Sequence, residues 1–227
     1  MRSTEYLRQF IREALLLGEG ADEDLAALYE DASDWGMKAI TVYSPARLLA
    51  DPGNPGAAVV GYIAAQRPDS PCAGAWEVKM SGGRGYGWSV LYPAMFAAVG
   101  GPLMPDRKTV SPDATRGWST RAGDRGKTLL DKVSAPEEEK LTPDDPSDDC
   151  EVRSWTRDPE TGKWSGDPVL DVAYTPKGNE KALLDRLLRR HEETMGEVID
   201  AGHDRREVEV GLSRGGGEKF NAELYGK

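Results

Sequence analysis

Cysteine, histidine and phenylalanine are scarce in this chain, numbering two, two and three in 227 residues. The cysteines, Cys72 and Cys150, form no Cys-x-x-Cys pair, and the histidines, His191 and His203, stand apart from them. A structural zinc site needs four such ligands at close spacings, so no metal is expected. Two buried free thiols and a bridge between the two cysteines both fit the spacing; a reducing compartment favours the thiols. A cysteine nucleophile needs a partner base, and neither histidine carries a sequence sign of being one.

Basic excess is also lacking. Lys and Arg total 29 against 39 Asp and Glu, for a net charge of −10. Nucleic-acid binding relies on clustered cations against phosphate and is not expected here. The acidity serves solubility, and would draw a basic amine such as a polyamine, an aminoglycoside or a Lys-rich peptide. No apolar run approaches the roughly 20 residues of a membrane span. Arg2, Glu5, Arg8, Arg12 and Glu13 deny residues 1–17 the apolar stretch of a signal peptide. A cytoplasmic protein is expected.

Glycine and proline are plentiful, at 26 and 15 residues, which predicts long ordered loops. Between these loops the apolar periodicity marks an α/β (α+β) chain. Tyr6, Leu7, Phe10, Ile11, Ala14 and Leu17 recur at helical spacing behind a Ser3 cap. Leu25, Leu28, Tyr29, Ala32 and Trp35 predict a second helix stopped at Gly36. Residues 38–43, 57–66 and 75–80 read as strands, 88–99 as a helix with Pro93 in it, 103–110 as a weak strand, and 111–118 as a helix opened by Ser111-Pro112. Residues 122–150 read as an exposed acidic insertion, 152–164 as a hairpin with Trp155 facing Trp164, and 169–174 as a strand. Residues 179–200 give the clearest helix, with Leu184, Leu187, Leu188, His191, Met195, Val198 and Ile199 on one face. Residues 207–212 alternate like a strand that Arg214-Gly-Gly-Gly217 breaks. The expected organisation is N-terminal helices over 1–36, a core over 37–176, and a C-terminal helix, short strand and tail over 177–227.

The chemistry-bearing stretch is Ser81-Gly-Gly-Arg-Gly-Tyr-Gly87, between a predicted strand and a predicted helix. Glycines there let backbone N–H groups face a ligand, and a helix N-terminus carries about half a positive charge. A diphosphate suits such a loop, and Arg84 would strengthen it. A plain turn fits the same residues. The loop is not a P-loop, since no Gly-Lys-Ser/Thr follows, and it lacks the opening βαβ unit of a Rossmann fingerprint.

The segment AWEVKMSGGRGYGWSVLYPAMFAAV resembles motif A of the GNAT acyltransferase superfamily, whose Arg/Gln-x-x-Gly-x-Gly/Ala loop precedes a helix bearing on the pyrophosphate of acetyl-CoA. The glycine spacing differs by one residue. AAVVGYIAAQR is similar to the superfamily's third strand, and SPDATRGWSTR to its later helix, with Ser111, Ala114 and Trp118 at the places of Asn, Ala and Tyr. The wider texture is similar to GNAT-like proteins of tailed phages. The resemblance spans about residues 38–120 and, loosely, 150–175.

It implies a mostly antiparallel twisted sheet flanked by helices, which parts at the acyl site. It also implies acetyl-CoA or another acyl-CoA bound by Gly82, Gly83, Arg84, Gly85, Tyr86 and Gly87. Acyl transfer to an amine needs a proton acceptor, for which Glu77 is the candidate, and an acid for the leaving thiolate. The family's acid is a Tyr; Trp118 at that place has only an indole N–H, a donor that does not ionise usefully. Three functions stay open: an N-acyltransferase, a non-catalytic scaffold of the same fold with protein partners in a virion, and a small-molecule binder that uses the same cleft. Asp106 and Arg107 could pair with each other, or Arg107 could meet an acidic substrate. The run Asp144–Asp149 could hold Ca²⁺ or Mg²⁺, but it lacks the glycine and spacing of an EF-hand and reads as a solvated loop.

Overall fold

The computed structural model describes residues 25–32, 36–67, 75–83, 87–106, 114–115, 118, 130–133, 156–157, 164–165, 173–176 and 180–225. The predicted first helix (3–17), both cysteines, Arg107, Ser111 and the Asp144–Asp149 run lie outside them.

The described residues open on a β-hairpin. Strands β1 (Ala26–Ala32) and β2 (Met37–Tyr43) pair antiparallel across a turn at Gly36, whose φ of +61° suits glycine. The helix expected from Asp22 to Trp35 is therefore a strand over Ala26–Ala32. Ala26, Ala27 and Leu28 are all buried because both faces of β1 are covered, which erases period-two alternation and leaves a spacing that mimics a helix.

After helix α1 (Pro45–Ala50) and a 3₁₀ helix (Pro55–Ala58), β3 (Val59–Gln66) pairs antiparallel with β2, and β4 (Trp76–Gly83) with β3. Helix α2 (Gly87–Val99) leads to β5 (Leu103–Met104), which lies parallel to β4. Pro93 sits inside α2, and the helix begins six residues before it, not after it. A proline in a helix interior costs about 3 kcal/mol, so burial must offset it; Val90, Leu91, Tyr92, Ala94, Met95 and Phe96 are all buried.

Strand β6 (Leu130–Val133) lies within the stretch read as an acidic insertion and pairs with β9 (Ala173–Pro176). Strands β7 (Thr156–Arg157) and β8 (Trp164–Ser165) pair antiparallel as a hairpin would, but Trp164 stands opposite Arg157 and not the expected Trp155, which lies outside the described residues. The main sheet has the order β1-β2-β3-β4-β5-β9-β6, and its described pairs are antiparallel except β4–β5. The mixed α/β class with a mostly antiparallel sheet is as expected.

Two long helices close the chain. Helix α3 (Glu180–Asp200) buries Leu184, Leu187, His191, Met195 and Val198 as its periodicity predicts, whereas Ile199 is half exposed. It lies along β1 and α2, so a helix covers the edge strand. Gly202, at φ +87°, ends it; His203 N–H returns to Val198 C=O at 3.1 Å in the manner of a Schellman cap. Asp204 then caps α4 (Arg205–Tyr225), its Oδ1 accepting from Glu207 N–H at 3.0 Å. The expected strand over 207–212 and break at Gly215–Gly217 are thus one continuous helix, crossing the 3₁₀ helix and β3.

The core lies on both faces of the sheet. One face packs Ile40, Val42, Ile63 and Val78 against α2 and the first half of α3; the other packs Tyr43, Leu48 and Val59 against Val208 and Leu212 of α4. Among the described residues, no helix is long and apolar enough to cross a membrane.

Candidate functional site

Strand β4 departs from regular geometry at one residue. Ala64 pairs with Met80 and Ala65 with Val78, so Lys79 is an extra residue with no place in the ladder. Such a bulge bends the strand and re-aims side chains. On its other side, β4 pairs with β5 only through Trp76↔Leu103 and Glu77↔Met104. Pro105 follows at once and has no N–H to continue a ladder. From Val78 to Gly83, β4 runs on beyond the last described pair with β5.

Gly82 and Gly83 belong to the strand, opposite Tyr62 and Gly61, and not to a loop as read from the sequence. The connection to α2 is thereby only 84–86; Arg84, Gly85 and Tyr86 fall in it, outside the described residues. Gly87 is the first residue of α2, so first-turn amides, which have no partner within a helix, sit just beyond the end of β4. Ser81 Oγ and Tyr92 OH, 2.9 Å apart, join the strand end to the second turn of that helix.

Glu77 is 5% exposed, and Lys79 Nζ stands 2.6 Å from its Oε1 and 4.0 Å from Asp106 Oδ2. The bulge makes this possible: it brings the Lys79 ammonium between a carboxylate on β4 and one just after β5. Lys79 is a residue that sequence reading passed over, because a bulge leaves no mark in a strand's composition.

Trp118 is buried elsewhere. Its ring stacks on Tyr174 (centroids 5.3 Å, 24°) and meets Tyr92 edge-on (5.0 Å, 78°). Neighbouring strand residues point to opposite faces. Trp76, Leu103 and Tyr174 face α2 and Trp118, while Glu77 and Met104 face away. The sheet therefore separates the two expected catalytic residues, Glu77 and Trp118, and gives the indole a packing role.

A second polar cluster ties the C-terminal helices to the sheet. Tyr43 OH lies 2.9 Å from His191 Nδ1; His191 Nε2 lies 3.2 Å from Glu209 Oε1; and Arg205 donates to Glu209 at 2.7 Å and, with both terminal nitrogens, to Glu192 at 2.9 and 2.8 Å. A neutral imidazole with its proton on Nε2 satisfies the whole chain, accepting from Tyr43 and donating to Glu209. Burial pushes the Tyr43 phenol far up and the His191 imidazole down, the latter opposed by Glu209.

A pH dependence follows. Unfolded His191 takes a proton near pH 6.5 and the folded protein only at lower pH, so below about 6.5 the unfolded state binds more protons and stability falls. Urea unfolding between pH 8 and 5 should show this loss. His191→Gln should be less stable at pH 8 yet lose less on acidification; an unchanged slope would exclude His191 as its source.

Among the described residues, no group of three or more His, Cys, Asp and Glu side chains is placed to hold a metal ion. Compared with models of protein families, with curated proteins and with solved structures, the chain matches none.

Proposed function

We propose that this protein binds an acyl-CoA thioester where β4 and β5 part and transfers the acyl group to an amine. One observation carries this reading: the sheet's parallel pair, joined through α2, ends after two residue pairs while β4 continues through a bulge to Gly83 and the α2 N-terminus. In open α/β arrangements, ligands bind beyond the carboxyl ends of parallel strands, where helix N-termini point. The residues fit the group. Gly82, Gly83 and Gly87 present no side chains to a diphosphate, the first amides of α2 would hold it, and Arg84 would add charge. The bound thioester supplies an activated acyl group. Glu77 can accept a proton from the attacking amine. Lys79 and Asp106 orient that carboxylate and set the charge around it.

The test is thermal unfolding with acetyl-CoA. Ligand at a hundred times its Kd adds about 2.7 kcal/mol to stability. Arg84→Ala or Gly85→Val should abolish the shift. Glu77→Gln should keep the shift and lose acyl transfer to a polyamine, read as released thiol. No shift at millimolar acetyl-CoA overturns the proposal. The burial of Trp118 favours the second reading, a scaffold of this architecture without turnover; it predicts a shift with no thiol release from the wild-type protein, or no shift at all.

A further inference from the structure

We infer that Lys79 is itself an acyl acceptor, a modification site built into the sheet. The inference rests on the acyl-CoA reading above and extends it from an unidentified amine to a named one. Four features of Lys79 converge. It is the bulged residue of β4, outside the regular ladder, so its side chain is not committed to a cross-strand pair. It stands two residues beyond the last described contact between β4 and β5, on the stretch of strand that leads to the proposed diphosphate site. Its Nζ is 2.6 Å from Oε1 of the buried Glu77, within direct proton-transfer distance. Its side chain is 29% exposed, so it is only partly covered by the fold. Lys38 and Lys181, the other two lysines whose side chains are described, lack this combination. Lys38 is turned onto the end of α2, donating to Ala98 C=O at 2.8 Å beneath the Tyr29 and Trp76 rings. Lys181 is exposed on the first turn of α3.

The step balances with acyl-CoA as the only co-reactant. The Lys79 nitrogen forms a bond to the acyl carbon, and the carbon–sulfur bond breaks. Of the two protons that the ammonium gives up, one passes through Glu77 to solvent and the other ends on sulfur as the free thiol. The product is a neutral amide. The cluster of Glu77, Lys79 and Asp106 thereby changes its formal charge from −1 to −2, because the ammonium facing both carboxylates is gone. One acylation would therefore alter both the proton acceptor's surroundings and the charge seen by any incoming cationic amine.

The experiment incubates the full chain with acetyl-CoA at mildly alkaline pH and follows acetylation of each lysine by peptide mass spectrometry. Lys79 should gain one acetyl group at least about tenfold faster than Lys181, since a held nucleophile gains over a free one. Its rate constant should not depend on protein concentration, as a reaction within one chain requires. Glu77→Gln should bring the Lys79 rate down toward that of Lys181. Labelling of Lys79 no faster than Lys181 in the wild-type protein overturns the inference, as does preferential labelling that survives Glu77→Gln. CoA without an acyl group, added in parallel thermal unfolding, separates the two proposals. A shift without Lys79 labelling sinks this inference and spares the binding reading, whereas no shift sinks the binding reading.

Discussion

Gly215→Ala should destabilise the protein by about 2 kcal/mol, although alanine is worth about 1 kcal/mol more than glycine in a helix interior. The reason is where α4 crosses the sheet. A Cβ built on Gly215 would stand 2.4 Å from Gly56 Cα, a backbone atom of the 3₁₀ helix that cannot swing aside. One turn earlier, a Cβ on Gly211 would stand 2.3 Å from Pro55 Cγ, in a ring fixed by its own backbone. A Cβ on Gly216 would stand 2.7 Å from the Tyr62 ring and 3.1 Å from Thr41 Oγ1. These glycines cost the helix conformational entropy and return it as backbone-close packing that no other residue permits. Gly217 has nothing within 4 Å of its Cβ position, nor does Gly196 in α3. Gly217→Ala and Gly196→Ala should therefore stabilise, each by up to about 1 kcal/mol. Urea unfolding of the three variants checks the contrast. If Gly215→Ala stabilises as Gly217→Ala does, α4 does not lie against Gly56.

That helix also shows what the sequence could and could not disclose. The alternation of Val208, Val210 and Leu212 reads as a strand, and three consecutive glycines read as its end. The competing signal was present: Asp204 with Glu207 three residues on is a capping pattern, and Gly202 before it is a stop for α3. It lost because glycine's cost is local and visible, whereas the contact offsetting it lies some 155–160 residues away, at Pro55 and Gly56. Strand β1 failed for a related reason, since only the covering of both its faces by distant helices explains its unbroken apolar run. Helix α3 was legible because one face of it alone is buried, and β3 because its short run holds Val59, Val60 and Ile63 and follows the Pro- and Gly-rich turn at 51–56. At the candidate site, residue type and order singled out Glu77 and the glycines, but Gly82 and Gly83 lie in β4 and not in a loop. The bulge at Lys79 and the parting of β4 from β5 were not legible, because register is a property of pairs of strands and neither strand records it alone.

Trp118→Ala should cost about 3–5 kcal/mol, the range for removing a large aromatic side chain from a core. The ring is nearly inaccessible and fills the space between α2 and β9, stacked on Tyr174 and edge-on to Tyr92. Removing it leaves both tyrosines facing a void. Through Tyr92, it also loosens the contact that holds the end of β4 to α2 at Ser81. The informative companion is Trp118→Tyr, which places a phenol at this position. A phenol keeps much of the stacking area but brings a hydroxyl into an apolar site, where an unsatisfied group costs about 1–3 kcal/mol. It should therefore fall between the wild type and Trp118→Ala in urea unfolding. Acyl transfer should not rise, because residue 118 lies on the far face of the sheet from Glu77. A gain in thiol release with Trp118→Tyr at equal acetyl-CoA binding would show that this position does reach the reacting atoms. Indole at 118 would then be the feature that silences the chemistry, and the separation of the two residues by the sheet would have to be abandoned.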